Sequence, residues 1–98
     1  MATNNKLGGV RIIWVRGAVN FASSSTLTSN DQTLTVTGAQ LGDPVILGGA
    51  AVPAANGLYT AFVSLADTVT VRFINYSGGT VDPASFIATV GVVQLGKV

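Results

Sequence analysis

Few side chains in this 98-residue chain are able to do chemistry. There is no His, no Cys and no Glu, which removes the usual general base, the thiol nucleophile and the commonest metal ligand. Four carboxylates remain: Asp31, Asp43, Asp67 and Asp82. Acid–base hydrolysis or hard-cation binding would need two or more of them held together in a cleft. Their neighbours point to something simpler. Asp43 and Asp82 each precede a Pro, Asp31 follows Asn30, and Asp67 separates two strand-like runs. Each is therefore predicted to serve a turn through side-chain-to-backbone hydrogen bonds. A small hydrolase using Asp43 and Asp82 is the least favoured of three readings. Ser23-Ser24-Ser25 has no basic partner and reads as linker, and the three Gly pairs lack the Lys-Ser/Thr that a phosphate cradle needs. Asn75-Tyr76-Ser77 matches a glycosylation sequon, a coincidence in a chain that is expected to carry no secretory leader. No catalytic residue, cofactor or metal is expected.

Two groups of residues could recognise rather than react. In Val10-Arg11-Ile12-Ile13-Trp14-Val15-Arg16, Ile12, Trp14 and Arg16 alternate with Arg11, Ile13 and Val15, so apolar residues occupy both faces of a strand. Such a strand belongs to the core or forms an edge that pairs with a neighbouring subunit or another partner. Tyr59 and Tyr76, with Asn56 and Asn75, could stack on a sugar at a loop rim, although packing competes for the same rings.

Charge narrows the partners. The five basic residues, Lys6, Arg11, Arg16, Arg72 and Lys97, are scattered and leave a net charge of +1, too little to neutralise a run of phosphates. Nucleic acid is not an expected partner. The opening MATNNKLGG has no apolar centre, and no stretch approaches ~18 uninterrupted apolar residues, so synthesis in a cytoplasm without membrane insertion is expected. Only 9% of residues are charged, where ordinary domains have about 25%. A chain so poor in charge and 48% hydrophobic is expected to hide part of its surface against copies of itself or another protein.

The elements that must position these residues are strands. Thr33 to Thr37 and Thr68 to Phe73 alternate polar and apolar residues, and Leu58 to Leu65 suits a strand covered on both faces. Ile12 to Val15, Val45 to Leu47 and Phe86 to Val93 are further strand runs, and Ala66-Asp67 is predicted to close a tight hairpin. The Ala-rich piece from Ala50 to Ala55 is broken by Gly49, Pro53 and Gly57 and is predicted to be a loop. Fourteen Val, turn signals at short intervals and no convincing helix give an all-β fold: an antiparallel β-sandwich or jelly-roll-like barrel of six to eight short strands. The expected division is an N-terminal arm, short strand and polar linker over 1–31, with turns at Ser23 to Ser25 and Asn30-Asp31, followed by a β-sandwich over 32–98.

From Thr33 to Val93 the chain resembles a family of small head decoration (cement) or head-fibre proteins of tailed bacteriophages. The residues that carry the resemblance are Thr33-Leu34-Thr35-Val36-Thr37-Gly38-Ala39, Leu41-Gly42-Asp43-Pro44-Val45, Gly57 to Ser64, Asp67 to Asn75 and Asp82-Pro83-Ala84-Ser85. Phe86-Ile87-Ala88 departs from the Gly-aromatic strand start expected next, and the first 31 residues lie outside the match. The resemblance implies a trimeric β-sandwich on the outer surface of a phage head, with the major capsid protein as partner and a virion location. It implies a structural role rather than an enzymatic one. Val10 to Arg16 would then grip the capsid or swap between protomers. The alternative is a fibre or spike tip that binds a host-surface glycan or receptor through Tyr59 and Tyr76.

Overall fold

The computed structural model describes residues 9–49 and 57–95. Six strands are present: β1 (Val10–Val19), β2 (Ser29–Thr35), β3 (Val45–Gly48), β4 (Gly57–Leu65), β5 (Thr68–Asn75) and β6 (Phe86–Leu95). They form two three-stranded antiparallel sheets, β1-β6-β3 and β2-β5-β4, with no helix among the described residues. Of the two architectures expected, the chain takes the sandwich. The Ala-rich piece, Lys6 and Lys97 lie outside the described residues.

The alternation seen in the sequence decides which side chains meet between the sheets. In the first sheet, Ile13, Val15 and Val19 of β1, Ala88, Val90 and Val92 of β6 and Val45 and Leu47 of β3 face inward. They meet Leu34 of β2, Val69, Val71 and Phe73 of β5, and Tyr59, Ala61 and Val63 of β4. Val19, Val69, Val71, Phe73, Val90 and Val92 are fully buried, and β-branched residues of this kind suit a pleated, covered surface. Gly17 leaves the gap into which the Leu34 side chain of the opposite sheet fits, since a Cβ there would lie 2.5 Å from Leu34 Cδ2. One end of the core is aromatic: Tyr59 packs on Phe21, Phe73 and Phe86 at ring-centre distances of 5.7, 5.2 and 5.1 Å.

Two expectations are corrected here. β1 is not part of an arm outside the sandwich: it pairs with β6 along its whole length, from Val10 opposite Leu95 to Val19 opposite Phe86, and Phe21 follows it into the core. The division expected at residue 31 would cut through β2. Asn30-Asp31 is likewise strand, not turn, because Asp31 stands opposite Arg72 of β5 and takes a bidentate hydrogen bond from its guanidinium at 2.8 and 3.1 Å. The partner that makes this position a strand lies 41 residues away and leaves no local sign.

The turns at Asp67 and Asp43 are as read. Asp67 closes the β4–β5 hairpin in the left-handed region (φ 62°), which Asp tolerates better than branched residues. Its Oδ1 accepts the Gly38 N–H at 2.7 Å, and its own N–H donates to Ala39 O, so the hairpin tip is tied to the turn after β2. Asp43 Oδ2 accepts from the Gln40 N–H at 3.0 Å and from Gln94 Nε2 at 2.8 Å.

Candidate protein-contact face

The two outward faces of the sandwich differ in chemistry. On β2-β5-β4 the outward positions are largely polar: Asp31, Thr33 and Thr35, Thr68, Thr70 and Arg72, Thr60 and Ser64, with Leu58, Phe62 and Ile74 among them and exposed Leu65 at the hairpin end. Arg72 is held twice there, by Asp31 and by the Phe62 ring, whose centre lies 5.0 Å from the guanidinium carbon. The hydrogen bond from Arg72 keeps the Asp31 carboxyl below its ordinary range, against a smaller opposing effect of desolvation.

On β1-β6-β3 the outward face is apolar. The register places Val10, Ile12 and Trp14 of β1 beside Leu95, Val93 and Gly91 of β6, with Ile46 of β3 on the far side of Gly91. Trp14 is 56% exposed, Val10 57%, and Ile46 and Ile87 each 48%. Gly91 shapes this surface. The Trp14 ring lies flat across it, and a Cβ at 91 would sit 2.6 to 2.9 Å from three ring carbons. The only glycine inside the described part of β6 thus lets the largest side chain of the chain lie against the sheet rather than stand away from it. Arg16 is the single charged residue on this face among the described residues, opposite Thr89 and between the Trp14–Gly91 and Ala18–Ile87 pairs. No described strand pairs with the outer edge of β1.

The seven residues singled out from Val10 to Arg16 therefore divide by parity. Val10, Ile12, Trp14 and Arg16 point outward, whereas Ile13 and Val15 enter the core. Arg11 lies on the inner side at the open end of the sandwich. Its guanidinium donates to Gln94 Oε1 through Nε at 3.1 Å and through Nη2, and buried Gln94 passes the network on to Gly38 O and Asp43. Sequence reasoning missed Gln94 and Leu95 as partners of this strand and Ile46 and Ile87 as members of the same face. Their placement follows from the strand order β1-β6-β3, which joins the first, last and third strands.

The proposed loop-rim pair is not brought together in the expected way. Tyr59 is an inward residue of β4 within the aromatic cluster, where burial pushes its phenol pKa up, and only Tyr76, just after β5, is well exposed. Tyr59 does line an apolar cleft of about 300 Å³ between β3 and β4, together with Leu47, Gly49, Gly57 and Phe86. No Asp, Arg or Lys is among the described residues of that cleft. Asn75, the acceptor position of the sequon, is buried. Its Nδ2 reaches Ser24 O, Ser25 O and Gly79 O at 3.1, 3.1 and 2.8 Å, and its Oδ1 accepts from the Ser77 N–H and hydroxyl. It is a structural clasp, closed to a glycosyl donor.

No family model, curated protein or solved structure matches the chain. Its geometry must speak for itself. Among the described residues no three of His, Cys, Asp and Glu come together as a metal site, and no buried side-chain nitrogen or oxygen lacks a hydrogen-bond partner. Of the four Asp, three have visible structural work: Asp31 holds Arg72, Asp43 holds a turn and Gln94, and Asp67 holds the Gly38 N–H. What this arrangement offers to another molecule is an apolar sheet face on a rigid support.

Proposed function

We propose that the protein is a structural coat component that works by binding other proteins rather than by catalysis, and that its place is the outer surface of a tailed-phage head, with the major capsid protein as partner. The observation that carries the reading is the apolar β1-β6-β3 face, with Trp14 laid over Gly91, on a domain in which 9% of residues are charged. A face of this kind is out of keeping with a free monomer and suits a module that spends its life in an assembly. A coat component needs a stiff scaffold and contacts multiplied by symmetry, and it needs no reactive group. The resemblance of Thr33 to Val93 to head decoration proteins supplies the particular assembly. The fibre-tip alternative loses support from the inward position of Tyr59.

The test is co-sedimentation of the purified protein with expanded heads of its source phage, beside a glycan array. Saturable binding to heads with a fixed stoichiometry, and no glycan retained, supports the coat role. Retention on the array without head binding replaces it with the tip role.

A further inference from the structure

We infer that copies of this chain dock end to face: the end of the sandwich that carries Leu27, Tyr76 and Asp82 sits on the apolar β1-β6-β3 face of the next copy, where Asp82 meets that copy's Arg16. The inference rests on the coat reading and names the two surfaces that join its copies.

Unpaired charge is the first reason. Among the described residues, Arg11 is held by Gln94, Arg72 by Asp31, and Asp43 and Asp67 by turn N–H groups. Arg16 and Asp82 are the one cation and the one carboxylate among the described residues with no ion pair or side-chain hydrogen bond, and both are exposed. Arg16 stands inside the patch. It faces outward opposite Thr89, with the Trp14–Gly91–Ile46 row on one side and Ala18 and Ile87 on the other. A partner that covers these rows buries the guanidinium with them and must offer it an acceptor, because a charge buried without one is costly. The described face carries no carboxylate, so two such faces packed together would leave both arginines unanswered.

The surroundings of Asp82 are the second reason. The Ser24–Val81 bridge, with backbone hydrogen bonds of 2.7 and 2.9 Å, and the bond from Asn75 N–H to Thr28 O gather the loop after β5 against the stretch before β2. Leu27, Tyr76 and Asp82 are the immediate neighbours of Thr28, Asn75 and Val81, so they share one end of the sandwich. Leu27 is 73% exposed and takes φ 58°, the left-handed region that a bulky side chain rarely adopts. Asn or Gly would make this turn with less strain. A strained residue that presents a large apolar side chain to solvent fits a role in contact rather than in folding. This end thus offers an aliphatic group, an aromatic ring and a carboxylate, the counterparts of the aliphatic residues, Trp14 and Arg16 on the face.

Area and direction agree with this contact. From their exposed fractions, Val10, Ile12, Trp14, Ile46, Ile87 and Leu95 leave on the order of 600 Å² open on the face, the upper limit of what ordinary monomers expose as one patch. That is most of the roughly 800 Å² that each partner gives to a stable complex. Strand ends and sheet face lie at about a right angle, so each copy is turned relative to the last and the series can close into a small ring larger than a dimer. The trimer implied by the resemblance is a ring of this kind.

The test is a charge exchange in the full chain, read on dilution by light scattering and by the emission of Trp14, the only Trp. The wild type should form a ring of the 9.9 kDa chain, larger than a dimer, whose emission moves to the red as it dissociates. Arg16→Asp and Asp82→Arg should each weaken assembly about 10-fold or more, and the double variant should recover to within about 3-fold of wild type. Leu27→Asn should weaken assembly while the unfolding temperature of the dissociated chain stays the same or rises, which a merely structural Leu27 would not do. Leu58→Lys, on the opposite sheet, should leave the ring unchanged. A monomer at every concentration, a two-fold dimer, or a double variant no better than the single ones overturns the inference. A monomer that still binds phage heads overturns it and leaves the coat role standing. A ring that obeys the charge exchange but ignores heads supports it and removes the coat role.

Discussion

Asn75 offers the strictest check on how the two sheets are joined. It ends β5, is 1% exposed, and makes five side-chain hydrogen bonds to two separate stretches of chain: Ser24 and Ser25, and the turn that holds Ser77 and Gly79. Asn75→Ala removes all five. Three of the carbonyls keep another donor, since Val81 N–H reaches Ser24 O, Thr28 N–H reaches Ser25 O and the Ser77 hydroxyl reaches Gly79 O. The loss is therefore smaller than five full bonds, and at a net 0.5–1.5 kcal/mol per bond we expect about 2–4 kcal/mol. For a domain of this size that is a fall of roughly 10–25 °C in unfolding temperature. Urea unfolding of the wild type and variant, with equal slopes, measures it directly. Asn75→Asp sharpens the test. A carboxylate among three carbonyl oxygens is held above its ordinary pKa, so the folded state prefers it protonated, and stability is lost as pH rises through that range. Asn75→Asp should be worse than Asn75→Ala at neutral pH and recover on acidification. A loss under about 0.5 kcal/mol in Asn75→Ala, the range of an ordinary surface change, would refute the clasp.

Three further outcomes follow from the same structure. Phe21→Ala should cost about 3–5 kcal/mol in chemical unfolding, because Phe21 is 2% exposed and packs on Tyr59 and Phe73; a cost below 1 kcal/mol would restore the N-terminal segment as an appendage. Asp67→Asn should stay within about 0.5 kcal/mol of wild type, whereas Asp67→Val should lose about 2–3 kcal/mol by combining a branched side chain at φ 62° with loss of the bond to Gly38. Asp31 has its carboxyl pKa lowered by Arg72, so the pair helps stability above the ordinary value of 3.8 and that help fades as pH falls through the lower folded value. Asp31→Asn should accordingly reduce stability at neutral pH and converge on wild type at the acid end, with a small amplitude because both side chains are well exposed, as pH-dependent thermal unfolding would show.

The sequence by itself determined the class of fold and the inward parity of the strands that alternate polar and apolar residues. Thr33 to Thr37 and Thr68 to Phe73 alternate with period two because one side of each had to be buried, and that local rule needs no knowledge of neighbours. Leu58 to Leu65, read as covered on both faces, is covered on one only, since Leu58 and Phe62 stand exposed on the outer side of β4. Asp43 and Asp67 were legible as turn residues for a similar reason, since their chemistry acts on backbone close by in sequence or on the hairpin they close. Apart from the β4–β5 hairpin announced by Ala66-Asp67, tertiary structure alone decided which strands meet. Only β4 and β5 form a hairpin within one sheet; every other consecutive pair changes sheets, so the neighbours of β1, β2 and β3 are all distant in the chain. Asp31 looked like a turn because its partner Arg72 is 41 residues away, and Val10 to Arg16 looked detachable because β6, which holds it, comes last. The apolar face is the same lesson at larger scale: Trp14 stood out in the sequence but Gly91 and Ile46 did not, and the three become one surface only when the first, last and third strands lie side by side.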